Sequence, residues 1–476
     1  MTKTLADVAA FEHALLPVCM AMTARGLRVD DGLRRERIEL LASEEHTLEA
    51  QAQAILTPEI IARLAKPQLI VKRRVCKFCR NGKKKKLTCG ACGGAGEFFT
   101  RELNLNSDPQ LKDVLYKGLK LPERKQHGKV TTDEEALQSL LALDKSGLVA
   151  VALKHTKLDT IRGIYERLAP AADGRVRTVF NVAGTYTGRF ASAGAFYWEG
   201  STNLQNLPAQ EAARDPRYAV RDCIIPDPGT VFLYADLSQA EARVSAVLAE
   251  DDDLLTRWAV PGWDVHRWTA SHVFGKPEPD ITPEERFLGK KCRHALNYGM
   301  GSNKFWRTIN ADADLTGIAI TLTEAERIWR GYHALHPNLD AIWWNRVEAQ
   351  LYTSGTLTTC FGRRCQFYPR FDPASGTLDA ETLRAAVAYE PQSTVADVLN
   401  TALLELFALE PTHGFQLVFQ GHDSVLALVD KHRWRATAAL FKRTLEREIV
   451  INKRTLTIPA EVFVMPRRWS EHERVC

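Results

Sequence analysis

The sequence predicts an α+β chain, and three observations carry that reading. Residues 5–57 repeat apolar side chains at helical spacing, β-rich runs begin only after about residue 176, and no large-scale internal repeat joins the two. In chain order, LADVAAFEHALLPVCMAMTARG reads as a helix that stops at Gly26. LRVDDGLRRERIELLASEEHTLEAQAQAIL reads as a second, long and charged helix. From about 68 to 100 the pattern breaks into a basic, Gly- and Cys-rich stretch that looks inserted. Helical spacing returns over 105–170 around the polar loop ERKQHGKVTTDEE, where Thr132 and Glu135 have the form of a capping box. VRTVFNV and VFLYAD read as strands, and the second leads into the helical SQAEARVSAVLAE. Residues 250–350 are mostly helical and rich in Trp. Near the C-terminus FQLVFQ and VLALVD flank Gly421, His422 and Asp423, a hairpin with a polar tip.

Composition narrows the classes of function. A length of 476 residues suggests about three lobes at roughly 150 residues each. Hydrophobic residues at 45% and charged residues at 25% exclude collagen, wholesale disorder and a disulfide-dense secreted scaffold. The net charge of +5 is too small to mark a nucleic-acid binder by itself. The sequence shows no apolar run of the ~18 residues a membrane span needs. Acidic residues stand where a signal peptide has its apolar block. The expectation is a cytoplasmic chain, neither secreted nor membrane-bound. Six of the cysteines (Cys19, Cys223, Cys292, Cys360, Cys365 and Cys476) are scattered and read as reduced thiols.

Four constellations could carry chemistry. Cys76 and Cys79 form one C-x-x-C pair, and Cys89 and Cys92 form a second. Two such thiolate pairs close a tetrahedron around one structural zinc, the plain alternative being unpaired or redox thiols. Lys83, Lys84, Lys85 and Lys86 fall between the pairs, either as a solvated loop tip or as phosphate contacts. Asp236 ends the apolar run VFLYAD and Asp423 sits at the hairpin tip. Alone, each is an ordinary turn residue; together, at the tips of adjacent strands, they could hold two divalent cations roughly 4 Å apart. Arg286, Lys290, His294 and Tyr298 recur at every fourth position. On a helix they rise ~6 Å and drift ~40° per step, so they share one face. That strip suits a triphosphate attached to a flat base.

These residues resemble the motifs of DNA polymerase family A. DLSQAEAR (236–243) is similar to its motif A, RFLGKKCRHALNYG to its motif B and GHDS to its motif C. TYTGRFASA, TNLQNLP, DVHRWTASHVFG, FGRRCQF and RAAVAYEPQSTVAD also match, from about Glu12 to the end, interrupted by the cysteine stretch. The resemblance implies a right-hand polymerase fold with an antiparallel-sheet palm, helical fingers and a helical thumb. It places the N-terminal helix and thumb at 1–175 with the four-cysteine zinc insert at about 68–100, the palm at 176–250 and 395–476, and the fingers at 251–394. It implies a DNA polymerase that extends a primer 3′-OH on a template with dNTPs and two Mg²⁺ ions.

Asp236, the Leu237 carbonyl and Asp423 would hold the metals. Arg286, Lys290 and His266 would meet the phosphates, Lys290 also as general acid, with Ser238, Gln239 and His294 in the same nucleotide site. Tyr298 would stack near the template base, and Glu241 would fill the space of a ribose 2′-OH. Arg189, Gln392 and His422 would contact the minor groove and primer end, Arg384 would support the template side, and Asn203 and Gln205 would also bind the DNA.

Departures from the pattern matter. His294 stands where the family has Phe or Tyr, Ser424 replaces an acidic neighbour of Asp423, and Ala388 replaces an Asn. Few residues precede the first helix, so no 3′–5′ exonuclease is expected on this chain, and editing would reside in a separate exonuclease or replication protein. The short form with a zinc insert suggests a viral or phage-like monomer. The rivals are a single-subunit-type RNA polymerase, favoured by Ser424 and opposed by Glu241, and a catalytically inactive DNA-binding scaffold.

Overall fold

The computed structural model describes residues 4–75, 97–101, 103–126, 128–195, 198–208, 215–260, 262–311, 313–371 and 376–475. They form two units, Gly32–Glu166 and a larger one made of Met1–Asp31 with Arg167–Cys476.

Helix α1, Leu5–Arg25, starts at a capping box between Thr4 and Asp7. It stops at Gly26, whose φ of +61° only glycine adopts freely, and where a Cβ would lie 2.8 Å from the Val176 carbonyl. Strand β1, Leu27–Val29, follows, where a helix was expected to begin. Its three residues pair with Arg175–Val176 and Ile224–Ile225, partners remote in sequence that local spacing does not reveal. By length and composition α1 is also apolar enough to cross a membrane, which the sequence reading had not found. In this unit it packs by one face of its C-terminal half, and Leu5, Leu16 and Met20 stay exposed. It buries Leu15, Val18 and Met22, and its Arg25 forks onto both oxygens of the buried Glu410.

The smaller unit is built on α2, Asp31–Ile55, and on α3, Leu148–Arg167. Arg162 on α3 donates to both oxygens of Glu45 on α2 at 2.9 Å. Around them Leu56, Ile70, Leu105, Val114, Leu115, Leu140 and Val149 close a core of their own. Strands β2, Val71–Val75, and β3, Glu97–Arg101, form an antiparallel ribbon that brings Val75 opposite Glu97. The four cysteines and Lys83–Lys86 lie between these strands, outside the described residues. The capping box expected at Thr132 and Glu135 is not formed. Asp133 is the N-cap and accepts from Ala136 N at 2.8 Å, while the Thr132 hydroxyl donates to Asp108. With the Thr132 hydroxyl spent on Asp108, the cap passes to Asp133, whose carboxylate accepts the N–H three residues further on.

The larger unit is organised by the central strand β4, Thr230–Leu237. After it come helices α4, Ala240–Leu248; α5, Val265–Phe274; α6, Pro283–Asn297; and α7, Leu322–Leu335. A small hairpin, β5 (Thr356–Thr358) and β6 (Arg364–Gln366), precedes the long helix α8, Ala380–His413. The chain ends with β7, Phe415–Gln420; β8, Ser424–Asp430; α9, Trp434–Leu445; β9, Ala460–Met465; and β10, Glu473–Arg474. The five-stranded sheet has the order β7-β8-β4-β9-β10, and its pairs are antiparallel. Phe232, Leu233 and Ala235 are fully buried in β4, and Phe441 of α9 packs edge-on against Phe415 at 5.1 Å. The apolar strands hold the sheet in place, and their polar ends are left at one edge of it.

Candidate active site

Asp236 lies at the C-terminal end of β4, opposite Ser424 of β8 and Glu461 of β9. The ladder continues one step further, where Leu237 N donates to the Asp423 carbonyl at 2.9 Å. Register alone therefore makes Asp236 and Asp423 neighbours, although 187 positions separate them (423 − 236). The tight turn that holds His422 and Asp423 is closed by Gly421 N donating to Ser424 O at 2.7 Å. Asp236 is half-buried and Asp423 exposed at its rim, and the protein packed around the pair strips water from both. This desolvation raises the Asp236 carboxyl well above its ordinary range. The Asp423 charge adds to the effect, while the Tyr234 hydroxyl, donating at 3.1 Å, and Lys290 oppose it. Desolvation likewise raises Asp423, with Glu241 adding and Arg189 and Lys290 opposing.

Helix α6 carries the basic strip. It opens on Thr282 with Pro283 at its first turn and a capping box to Glu285, as its sequence dictates. Lys290, one turn beyond Arg286, lies within electrostatic reach of both Asp236 and Asp423. Arg286 is engaged, its Nε donating to Asp264 Oδ2 at 2.5 Å. Asp264 is also the N-cap of α5 and accepts from His266 N at 2.8 Å. Burial pushes the His266 imidazole down to about 3 against the pull of Asp264, so the ring is neutral. Helices α5 and α6 touch at Gly289, where a Cβ would stand 2.2 Å from the His266 carbonyl. His294 is exposed, and Tyr298 lies just past the helix end.

On the opposite wall, Glu241 of α4 receives hydrogen bonds from Arg189 and from the Tyr298 hydroxyl, and His294 Nδ1 stands 3.9 Å away. Burial raises its carboxyl, but Arg189, His294 and Tyr298 outweigh that and hold it below the ordinary value. Gln239, with a left-handed φ of +53°, spends its side-chain oxygen on Trp258 Nε1 at 2.9 Å. Arg243 stacks on Trp258 at 4.8 Å and donates to Ser238 O at 3.1 Å. Gln239 therefore braces the turn after Asp236 and does not face outward.

Among the expected DNA contacts, Asn203 accepts from Gln205 N at 3.1 Å, and Gln205 reaches Gln420 at the end of β7 at 3.0 Å. His422 is exposed beside Asp423, Gln392 is half-buried on α8, and Arg384 is exposed on the same helix. Sequence reasoning missed Asp264, Tyr234, Glu461 and the Trp258 brace. Asp264 carried a usable signal, an Asp directly before an apolar-periodic helix. Glu461 and Tyr234 carried none, because strand register brings them in.

Residues 91–471 match the sequence profile of DNA polymerase family A. The chain belongs to this family. The thermostable DNA polymerase I of Thermus filiformis is 30% identical over 387 residues, covering 79% of this family A chain and 43% of that protein. DNA polymerase I of Synechocystis sp. is 29% identical over 393 residues, covering 77% of this chain and 36% of that one. The chain thus spans less than half the length of these relatives. A solved structure described as the POL domain of Pol1 from M. smegmatis, in complex with DNA primer-template and dNTP, matches with a TM-score of 0.74 at 22% identity. The match covers 98% of this chain and 72% of that one. That likeness shows the fold, a right-hand polymerase with an antiparallel-sheet palm and helical fingers and thumb.

Proposed function

We propose that this chain is a template-directed DNA polymerase that adds dNTPs to a primer 3′-OH in a two-Mg²⁺ site. The observation that carries the proposal is the meeting of Asp236 and Asp423 at adjacent strand ends, with Lys290 in electrostatic reach of both. Two crowded carboxylates that repel each other fit a divalent-cation site, and Asp236, Asp423 and the Leu237 carbonyl would hold the ions. Magnesium bound there supplies a lowered pKa for the attacking hydroxyl and neutralises charge on the leaving pyrophosphate.

The protein's own groups do the rest. Lys290 places an ammonium where the pyrophosphate departs and can give it a proton. Arg286 exchanges Asp264 for an incoming phosphate. Glu241, clamped by Arg189 and Tyr298, closes the space beside the sugar, so a 2′-OH is rejected and deoxynucleotides are selected. Primer extension on a template with Mg²⁺ is expected with dNTPs and not with rNTPs. Equal use of rNTPs would favour the RNA polymerase alternative, to which Ser424 lends its only support.

One zinc ion is assigned to Cys76, Cys79, Cys89 and Cys92. The spacing of the thiols supports this, as does the β2–β3 ribbon that brings the two ends of the insert together. Elemental analysis should return one zinc per chain. Replacing Lys83–Lys86 with Ala should weaken primer–template binding and flatten its salt dependence, by about 0.9 in log–log slope for each lost duplex phosphate contact. An unchanged slope would leave the insert without a DNA role.

A further inference from the structure

The segment that follows β5 combines features that the catalytic site does not use. From Arg364 to Arg370 exposure alternates residue by residue. Arg364, Gln366, Tyr368 and Arg370 point outward, and Phe367 is buried between them against Tyr389 of α8 at 5.9 Å. The pairing of β6 with β5 continues past the strand, with Phe367 N donating to Gly355 O at 2.7 Å, so the segment is held extended. Tyr368 is 83% exposed, the largest exposure among the large hydrophobic side chains described. Phe371, 44% exposed, lies beside Tyr352, 52% exposed, with ring centroids 5.4 Å apart. Neither Arg364 nor Arg370 meets a carboxylate among the described residues.

Apolar rings left in water are unfavourable, and a protein partner would be expected to offer acidic groups to both guanidiniums or a groove for the rings. Flat π faces alternating with cations that meet no carboxylate among the described residues suit a different occupant, an unpaired polynucleotide strand. Its bases stack on aromatic rings whatever their identity, and its phosphates meet the arginines. At about 3.3 Å per residue, Arg364 and Arg370 stand ~20 Å apart with Tyr368 between them, a span of several nucleotides.

We infer that Arg364, Tyr368, Arg370 and the Tyr352–Phe371 ring pair form a binding track for single-stranded DNA, engaging unpaired template outside the catalytic centre. The inference rests on the polymerase reading for its choice of strand. Fluorescence anisotropy of the full chain tests it on two substrates: a primer–template with a long 5′ overhang, and the same duplex with a one-nucleotide overhang. Tyr368→Ala should weaken binding to the long overhang by about fivefold or more, the loss of one stacked base, and leave the short one unchanged. Tyr368→Phe should restore the affinity, because the ring alone is needed. Arg364→Ala with Arg370→Ala should reduce the log–log salt slope for the long overhang by about 1.4, at roughly 0.7 per single-strand phosphate. Equal losses on both substrates, or none on the long overhang, would overturn the track. Binding is read without turnover, so failure of wild type to extend any primer would defeat the polymerase reading separately.

Discussion

Asp423→Asn should reduce primer extension by at least about a thousandfold, on the order of 4 kcal/mol of transition-state stabilisation, with the fold intact. The side chain keeps its shape and loses the charge that a divalent cation needs, and Asp236→Asn should act alike. A second readout separates this from damage to the structure. Both carboxyls are raised in the folded chain, so the folded state keeps protons that the unfolded state has already released. Their contribution to stability is fully present below the ordinary carboxylate range and is lost as pH rises through the raised values. Removing one charge relieves the other. The metal-free Asp423→Asn chain should therefore melt at a higher temperature than wild type near neutral pH, with the difference closing in acid. A variant that is inactive and also less stable at neutral pH would contradict the electrostatic account of the site.

Gly289→Ala is the second large effect, and it arises from packing. The added methyl would stand 2.2 Å from the His266 carbonyl and 2.9 Å from Ala270 N, and backbone atoms cannot swing aside as a side-chain tip can. Helices α5 and α6 must separate, at a cost of about 1–3 kcal/mol for an overpacked contact. Because α6 carries Arg286, Lys290 and His294, the shift also moves the cationic strip away from Asp236. A displacement of about 1 Å at reacting groups is enough for roughly a hundredfold loss in rate. Urea unfolding and steady-state extension should show both losses in the same variant. Wild-type stability would mean that the two helices are not in contact as described.

Sequence reasoning reached some features of this molecule and missed others for identifiable physical reasons. β4 and the β7–β8 hairpin were legible because buried strands need unbroken apolar runs, and the polar residues at their ends stand out against them. The face shared by Arg286, Lys290 and His294 follows from helical geometry alone. β1 was not legible, since three residues make a strand only when Val176 and Ile224, far along the chain, lie beside them. The hold of Asp264 on Arg286 and the clamp on Glu241 are likewise contacts between elements. Gln239 sits inside a recognisable motif, yet its side chain turns toward Trp258 because the backbone at that position is left-handed. Thr132 against Asp133 shows the limit of a local signal: two adjacent residues could each cap the helix, and tertiary contact with Asp108 decided which one did.

The ribbon of β2 and β3 makes the cysteine-rich stretch a detachable cassette. The chain leaves at Val75 and returns at Glu97, directly across the ladder, so residues 76–96 begin and finish at one point. A two-residue reverse turn could join those positions without altering any described packing. A lineage could therefore acquire, exchange or discard this appendage while the rest of the chain stayed as it was.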